Sequence, residues 1–419
     1  MTRQMKDSGI DWFGTMPDSW SINKISQYFK HHKQKNIGMQ ETNLLSLSYG
    51  KIKRRDINSG DGLLPESFEG YNIVDIDDVV LRMTDLQNDH NSLRQGIVNE
   101  KGILTSAYIT IRKRNEVDSK FVYYQLFAFD IVKGYYGMGS GVRQGVTYSD
   151  ICKLPLVLPK LIEQNAIVSL IDEKISTIDS IIGETKESIE ELKKYKQSII
   201  TEAVTRGLNP NAPLKDSHID WIGQIPEKWS INSISQYFTQ VKDKNKNLVE
   251  TNLLSLSYGK LKRKNINGGD GLLPESFEGY NIINYKDIVL RMTDLQNDHT
   301  SLRQGFVEEK GIITSAYITM RPQLKINSKF VYYQLYAFDI NKGYYGMGSG
   351  VRQGVTYNDI KQLKLALPQI EEQNEIADSL DKLSADIESL ISEKSELVVE
   401  YENYKKSIIF EYVTGKKEV

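Results

Sequence analysis

Between residues 159 and 206 apolar side chains return at alternating steps of three and four, or multiples of them: Ile171, Ile175, Ile178, Ile182, Ile189, Leu192, Ile199 and Ala203. Thr185 and Lys196 take the intervening places. A period of 3.5 is that of a coiled-coil seam. A second seam runs through Leu380, Ile387, Ile391, Val398, Tyr401, Ile408 and Tyr412, weakened by Ser384, Lys394 and Lys405. Each predicts a helix of about 40 residues, about 60 Å long. The competing reading is a long helix lying on its own globule, but two equally long seams in one chain favour pairing with each other. Gly183 is a flaw in the first helix, at a cost of up to about 1 kcal/mol relative to Ala.

The segments ahead of these helices carry a different pattern. "NLLSLSYGKIKR" and "DVVLRMTD" read as strands, and "ILTSAYITIR" alternates as a half-buried strand does. "SKFVYYQLFAFDI" (119–131) reads as a short helix in which Phe121, Tyr124, Leu126 and Phe127 cover one side. The expectation is a mixed α/β (α+β) globule over 1–158, a helix within 159–206, a linker over 207–217, a second globule over 218–367 and a second helix within 368–415. "RGLNPNAPLKDS", with its Gly and two Pro, ends the first helix and starts the linker.

The halves are one unit written twice. "DWFGTMPDSWSINKISQYF" pairs with "DWIGQIPEKWSINSISQYF", "LRMTDLQNDH" recurs unchanged, and "YYGMGSGVRQGVTY" stands at 135–148 and again at 344–357. Every pair is offset by 209 residues, too long a period for a solenoid.

Composition bounds the chemistry. Cys152 is the only cysteine, and the five histidines show no metal-ligand spacing, so disulfides and a zinc site are not expected. With no long apolar run and no leader-like start, the chain is expected to be cytoplasmic. The net charge of −2 hides segregation: 160–206 carry −2, 369–419 carry −7, and the remainder +7. A basic part of that size suits a polyanionic partner. No phosphate-binding loop, dinucleotide fingerprint, nucleophile elbow or amino-methyltransferase tetrapeptide occurs, so no catalytic residue is expected.

Three recurring clusters are candidates for binding. Lys51, Lys53, Arg54 and Arg55, repeated as Lys260, Lys262, Arg263 and Lys264, suit phosphate contact by displacing counterions; a solvated strand is the plain alternative. Arg82, Thr84, Asp85, Gln87, Asn88 and Arg94 recur as Arg291, Thr293, Asp294, Gln296, Asn297 and Arg303. Such side chains can read base edges, although turn chemistry also favours Asp, Asn and Thr. Tyr136, Ser140, Arg143 and Gln144, with Tyr345, Ser349, Arg352 and Gln353, lie in the Gly-rich repeat, which reads either as a recognition loop or as a packing turn.

The entry "KDSGIDWFGTMPDSW", the exit "GSGVRQGVTYSDICKLPLVLP" and the following "EQNAIVSLIDEKISTIDSII", all repeated, resemble the specificity subunit of a type I restriction-modification system over essentially the whole chain. The resemblance implies two target-recognition domains, and conserved helices that pair as an antiparallel coiled coil, space the domains and dock two methyltransferase subunits. It further implies double-stranded DNA as ligand and restriction subunits as further partners. S-adenosylmethionine, ATP and Mg would be held by those partners and not by this chain. Members of that family usually carry two dissimilar domains; here the near-identity of the halves implies two copies of one half-site, an interrupted palindrome. A protein-interaction scaffold with Tyr-rich loops is the reading from another class.

Overall fold

The computed structural model describes residues 3–58, 65–86, 88–89, 93–138, 145–266, 274, 276–295, 298, 302–323, 325–347 and 354–419. Two compact units emerge. One consists of Met1–Lys186 with Glu396–Val419, the other of Glu187–Ser395, a stretch as long as the repeat offset. The division therefore falls inside the long helices, where the sequence pattern places it at their ends: each unit is a globule with one part of each helix.

In the first unit a four-stranded antiparallel sheet has the order Phe29–His32, Ile109–Lys113, Val79–Leu81, Gln95–Ile97. Val79–Leu81 is apolar at every position because both of its faces are covered. Val79 and Leu81 join Ile111, Phe121 and Val122 in the main core, while Val80 joins Leu45, Val74 and Leu104 in a smaller one. The second unit repeats this with Phe238–Gln240, Ile318–Pro322, Ile288–Leu290 and Gln304–Phe306.

Local chemistry accounts for three departures from the sequence reading. "NLLSLSYGKIKR" is not one strand but a hairpin, Leu45–Ser48 against Lys51–Arg54. Tyr49 and Gly50 turn it at φ 47° and 75°, the left-handed pair that suits a two-residue hairpin turn. "ILTSAYITIR" is likewise split, Gly102–Leu104 pairing with Asn72–Val74 and Ile109–Lys113 with the main sheet. Helix Ser119–Ile131 starts where the Asp118 carboxylate accepts the Lys120 and Phe121 N–H groups. It is buried on nearly every side, Val122, Gln125, Ala128, Phe129 and Asp130 included, because the sheet and the long helices enclose it.

The long helices run over Leu161–Arg206 and Ile370–Val413. In the first unit Ile167, Ile171, Ile178 and Ile182 share the core with Ile408, Ile409, Tyr412 and Val413, and Ile175, Val398 and Tyr401 pack against it. Lys405, mostly buried, ion-pairs with Asp179. In the second unit Ile200, Ala203 and Val204 meet Ile376, Ala377 and Leu380, and Lys196 bonds Glu388 at 2.6 Å. Lys196 and Lys405, both at seam positions, are thus satisfied by acids. Ile189 and Ile387 are buried and Leu192 and Ile391 half-buried. Ile199 is half-buried, and its neighbour Ile200 takes the inward place. Where the helix end lies on Ile225 and Trp229 it follows the 3.6-residue period of an ordinary helix, which selects positions 200, 203 and 204.

The repeated "EQN" fastens each helix start. Gln164 accepts the Asp118 N–H at 2.9 Å and donates to the Pro159 carbonyl at 2.9 Å; Gln373 does the same with Asn327 and Pro368. The adjoining Glu163 and Glu372 accept the indole N–H of Trp20 and Trp229, each at 3.1 Å. Part of the expected linker belongs to the second globule, since Leu214–Asp216 pairs with Gln224–Pro226 as Met5–Asp7 pairs with Thr15–Pro17.

Candidate nucleic-acid interface

The hairpin carrying the basic cluster lies over Gly96, where a Cβ would stand 2.6 Å from Leu47 and 3.0 Å from Ile52. Only glycine allows this approach. With Ile52 turned inward, Lys51 and Lys53 share the opposite face of the strand and are exposed. Lys51 is 3.3 Å from Asp179, itself held below the usual carboxylate range: burial pushes it up, but Lys405 and Lys51 outweigh that. Arg54 forks onto Glu100 with Nε at 2.9 and 2.8 Å; the bonds hold Glu100 low and the guanidinium high. Arg55 is exposed. In the second unit Lys260 pairs with Glu388 and Arg263 with Glu309, and Lys262 and Lys264 are exposed. Exposed pairs of this kind contribute little to stability, so these side chains can exchange a carboxylate for a phosphate at small cost.

Beyond Leu81 the chain leaves the sheet. Asp85 adopts φ 59° and its carboxylate accepts the Asn88 amide at 2.7 Å, so this pair is engaged in turn chemistry. Thr84, Asp85 and Asn88 are nevertheless exposed, and Arg82 is half-buried with Asp89 3.8 Å away. Arg291, Thr293 and Asp294 stand equivalently, Arg291 lying 3.7 Å from Asp298.

Arg94 and Arg303 require correction as base-reading candidates. Both side chains are completely buried. The Arg94 guanidinium donates to the carbonyls of Thr84 (3.0 Å), Asp85 (3.4 Å) and Asp89, and lies 5.6 Å from the Tyr136 ring centroid. Arg303 donates to those of Thr293 (3.0 Å), Asp294 (3.5 Å) and Asp298. A loop that curls away from the ladder leaves carbonyls facing the interior, and a five-donor fork satisfies them. The Arg94 main-chain N–H goes to Asp130 at 2.8 Å, whose carboxyl burial pushes up to about 6; Asp339 matches it at 2.7 Å.

Tyr136, 47 residues beyond Asp89, arrives beside the loop: its hydroxyl donates to the Asp89 carbonyl at 3.0 Å, and Tyr345 repeats this with Asp298. Tyr135 is buried against Phe129, and Gly134 is needed because a Cβ there would lie 2.0 Å from that ring. Gln87, Ser140, Arg143, Gln144, Gln296, Asn297, Ser349, Arg352 and Gln353 lie outside the described residues. The described chain resumes with Val146 donating to the Met83 carbonyl at 3.3 Å, and Val355 to Met292 at 3.4 Å. Two segments far apart in sequence are thus neighbours in each unit.

The hairpin lysines face a cleft of about 1180 Å³ in the first unit, lined also by Lys120, Lys133, Lys186 and Lys406. Its counterpart in the second, about 730 Å³, is lined by Lys196, Lys260, Arg263 and Lys329 together with Glu308, Glu309, Asp381 and Glu388.

Comparison with known proteins finds similarity to one family. The model described as type I restriction modification DNA specificity domain matches residues 281–398. The type I restriction enzyme MjaVIII specificity subunit of Methanocaldococcus jannaschii is 23% identical, over 96% of this chain and 93% of its own length. The putative MjaX specificity subunit of the same organism is 24% identical, over 96% and 95%. Among solved structures, a chain from a study of complex assembly and conformational transition of the type I R-M system superposes with a TM-score of 0.68 at 13% identity, covering 95% of this chain and 98% of that one. The HsdS subunit from Thermoanaerobacter tengcongensis gives 0.50 at 13% identity, covering 96% and 98%.

Proposed function

We propose that the chain, similar over nearly its whole length to specificity subunits of type I restriction-modification systems, is such a subunit and that each of its two units reads one half of a bipartite double-stranded DNA target. The observation that carries this reading is the repetition of one arrangement: exposed Thr84 and Asp85 on an arginine-braced loop beside Tyr136, and Thr293 and Asp294 on the same brace beside Tyr345. Side chains of this kind bond base edges, and the hairpin lysines supply phosphate contacts. Because the carbonyl contacts of the two arginines and the two tyrosine bonds agree, the Arg94 Nε contact to Tyr136 alone having no counterpart at Arg303, the half-sites are the same sequence, and the target is an interrupted palindrome.

The helices Leu161–Arg206 and Ile370–Val413 act as an antiparallel coiled coil that sets the spacing of the half-sites and offers the docking surface for two methyltransferase subunits. The ion pairs Asp179–Lys405 and Lys196–Glu388 support that pairing. The chain supplies recognition. S-adenosylmethionine, ATP and Mg act in the methyltransferase and restriction partners.

A methylome of the host with and without this gene tests the proposal. The expected result is an interrupted palindromic adenine motif whose methylation disappears with the gene. Methylation unchanged by its loss overturns the proposal.

A further inference from the structure

We infer that Arg94, and Arg303 in the second unit, are positioning residues that set the shape of the base-reading loop and join it to the tyrosine-bearing turn, so that discrimination between DNA sequences depends on two side chains that touch no DNA. The inference rests on the DNA-reading function proposed above and names what orders that site.

A buried guanidinium is costly unless its donors are met, and here they are met mainly by main-chain carbonyls. The Asp89 carboxylate is no closer than 4.0 Å, and Asp130 takes the main-chain N–H and not the fork. Holding the carbonyls of Thr84, Asp85 and Asp89 inward leaves the side chains of Thr84, Asp85 and Asn88 outward, where all three are exposed. The left-handed φ of 59° at Asp85 is the conformation that this capture maintains.

The same node reaches the second segment. The Asp89 carbonyl receives the Arg94 fork and the Tyr136 hydroxyl together, and the Arg94 Nε stands 3.4 Å from that hydroxyl. With Val146 bonded to Met83, the chain on both sides of 139–144 is fastened to the loop that Arg94 shapes. Arg303 repeats the carbonyl contacts, Tyr345 bonds Asp298, and Val355 bonds Met292. A packing residue needs no such fork. Lysine keeps the charge but presents one ammonium on a flexible stem and cannot span three carbonyls with the same geometry.

The test uses the full chain assembled with its methyltransferase partner. Arg94→Lys with Arg303→Lys is compared with the parent for binding to the cognate duplex, to duplexes with one base pair changed in each half-site, and to unrelated DNA across a salt series. The expected result is a fall of about tenfold or more in cognate preference, with affinity for unrelated DNA and its salt slope unchanged. Tyr136→Phe with Tyr345→Phe, which removes the hydroxyl bond to the Asp89 or Asp298 carbonyl and, in the first unit, the bond from the Arg94 Nε as well, gives a smaller fall in the same direction and guards against misfolding of the lysine variant. Unchanged preference in both variants overturns the inference and leaves DNA reading intact. Equal loss of cognate and unrelated binding, together with a lowered melting temperature, also overturns it, by making the role one of stability alone. A parent complex with no sequence preference overturns the DNA-reading function itself.

Discussion

Replacing Gln334 by Met tests how each helix is fastened to its globule. Gln334 is fully buried, and its amide donates to the Val204 carbonyl at 2.9 Å and the Ala366 carbonyl at 2.6 Å. Val204 lies in the last turn of Leu161–Arg206, among the carbonyls that a helix end leaves without an intrahelical partner. Methionine fills a similar volume but orphans both acceptors, at about 1–3 kcal/mol each. Part of this is returned, because the Gln334 Oε1 has no partner among the described residues and is removed as well. A net loss of about 2–4 kcal/mol follows. In a unit of this size that lowers the melting temperature by roughly 5–15 °C. Gln125 makes the matching bonds to Val157 and Val413 but also accepts the Val157 N–H at 3.2 Å, so Gln125→Met orphans one group more and costs more. Thermal and urea unfolding followed by circular dichroism measures both. A Gln334→Met variant within about 0.5 kcal/mol of the parent, or one costing more than Gln125→Met, would refute the reasoning.

Gly183 sits in Leu161–Arg206 with open space where a Cβ would be, so Gly183→Ala should raise stability by up to about 1 kcal/mol in a urea melt; destabilisation would show a steric role that the helix does not reveal. Asp130 and Asp339 titrate near 6 in the folded chain because burial raises them from an ordinary value of 3.8. The folded state then holds more protons than the unfolded one between these values, and stability from each carboxyl, complete below about pH 4, is lost as pH rises through about 6, by on the order of 3 kcal/mol. Asp130→Asn with Asp339→Asn should flatten that part of a stability-against-pH curve, and an unchanged curve would contradict the assignment. Lys53→Ala with Lys262→Ala should reduce the slope of log affinity against log salt by roughly 0.9 for each phosphate left without its cation, with sequence preference retained; an unaltered slope would place the phosphate path elsewhere.

Legibility follows how local the determining physics is. Periodicity alone locates the long helices, and the extent of Ser119–Ile131 matches the quoted motif, since capping and apolar spacing act over a few residues. The Tyr49–Gly50 turn is hidden because "LSLSYGKIK" alternates straight through it, although the Tyr-Gly pair is an available signal. Ile200 displaces Ile199 because a globule, invisible in the heptad count, covers the helix end. Arg94 misleads for a similar reason: an arginine among Thr, Asp and Asn looks like a reading residue, and only the fold turns it inward against its own loop. The role of "EQN" is equally hidden, because Gln164 acts on Asp118, which only the packed chain brings to it.

The claim that two identical readers sit in one chain is tested most directly by selecting binding sites from random duplex DNA with the assembled complex. The expected result is a single motif made of two identical half-sites in inverted orientation with a fixed gap. Two different half-sites, or a half-site recovered without a second copy, would contradict it.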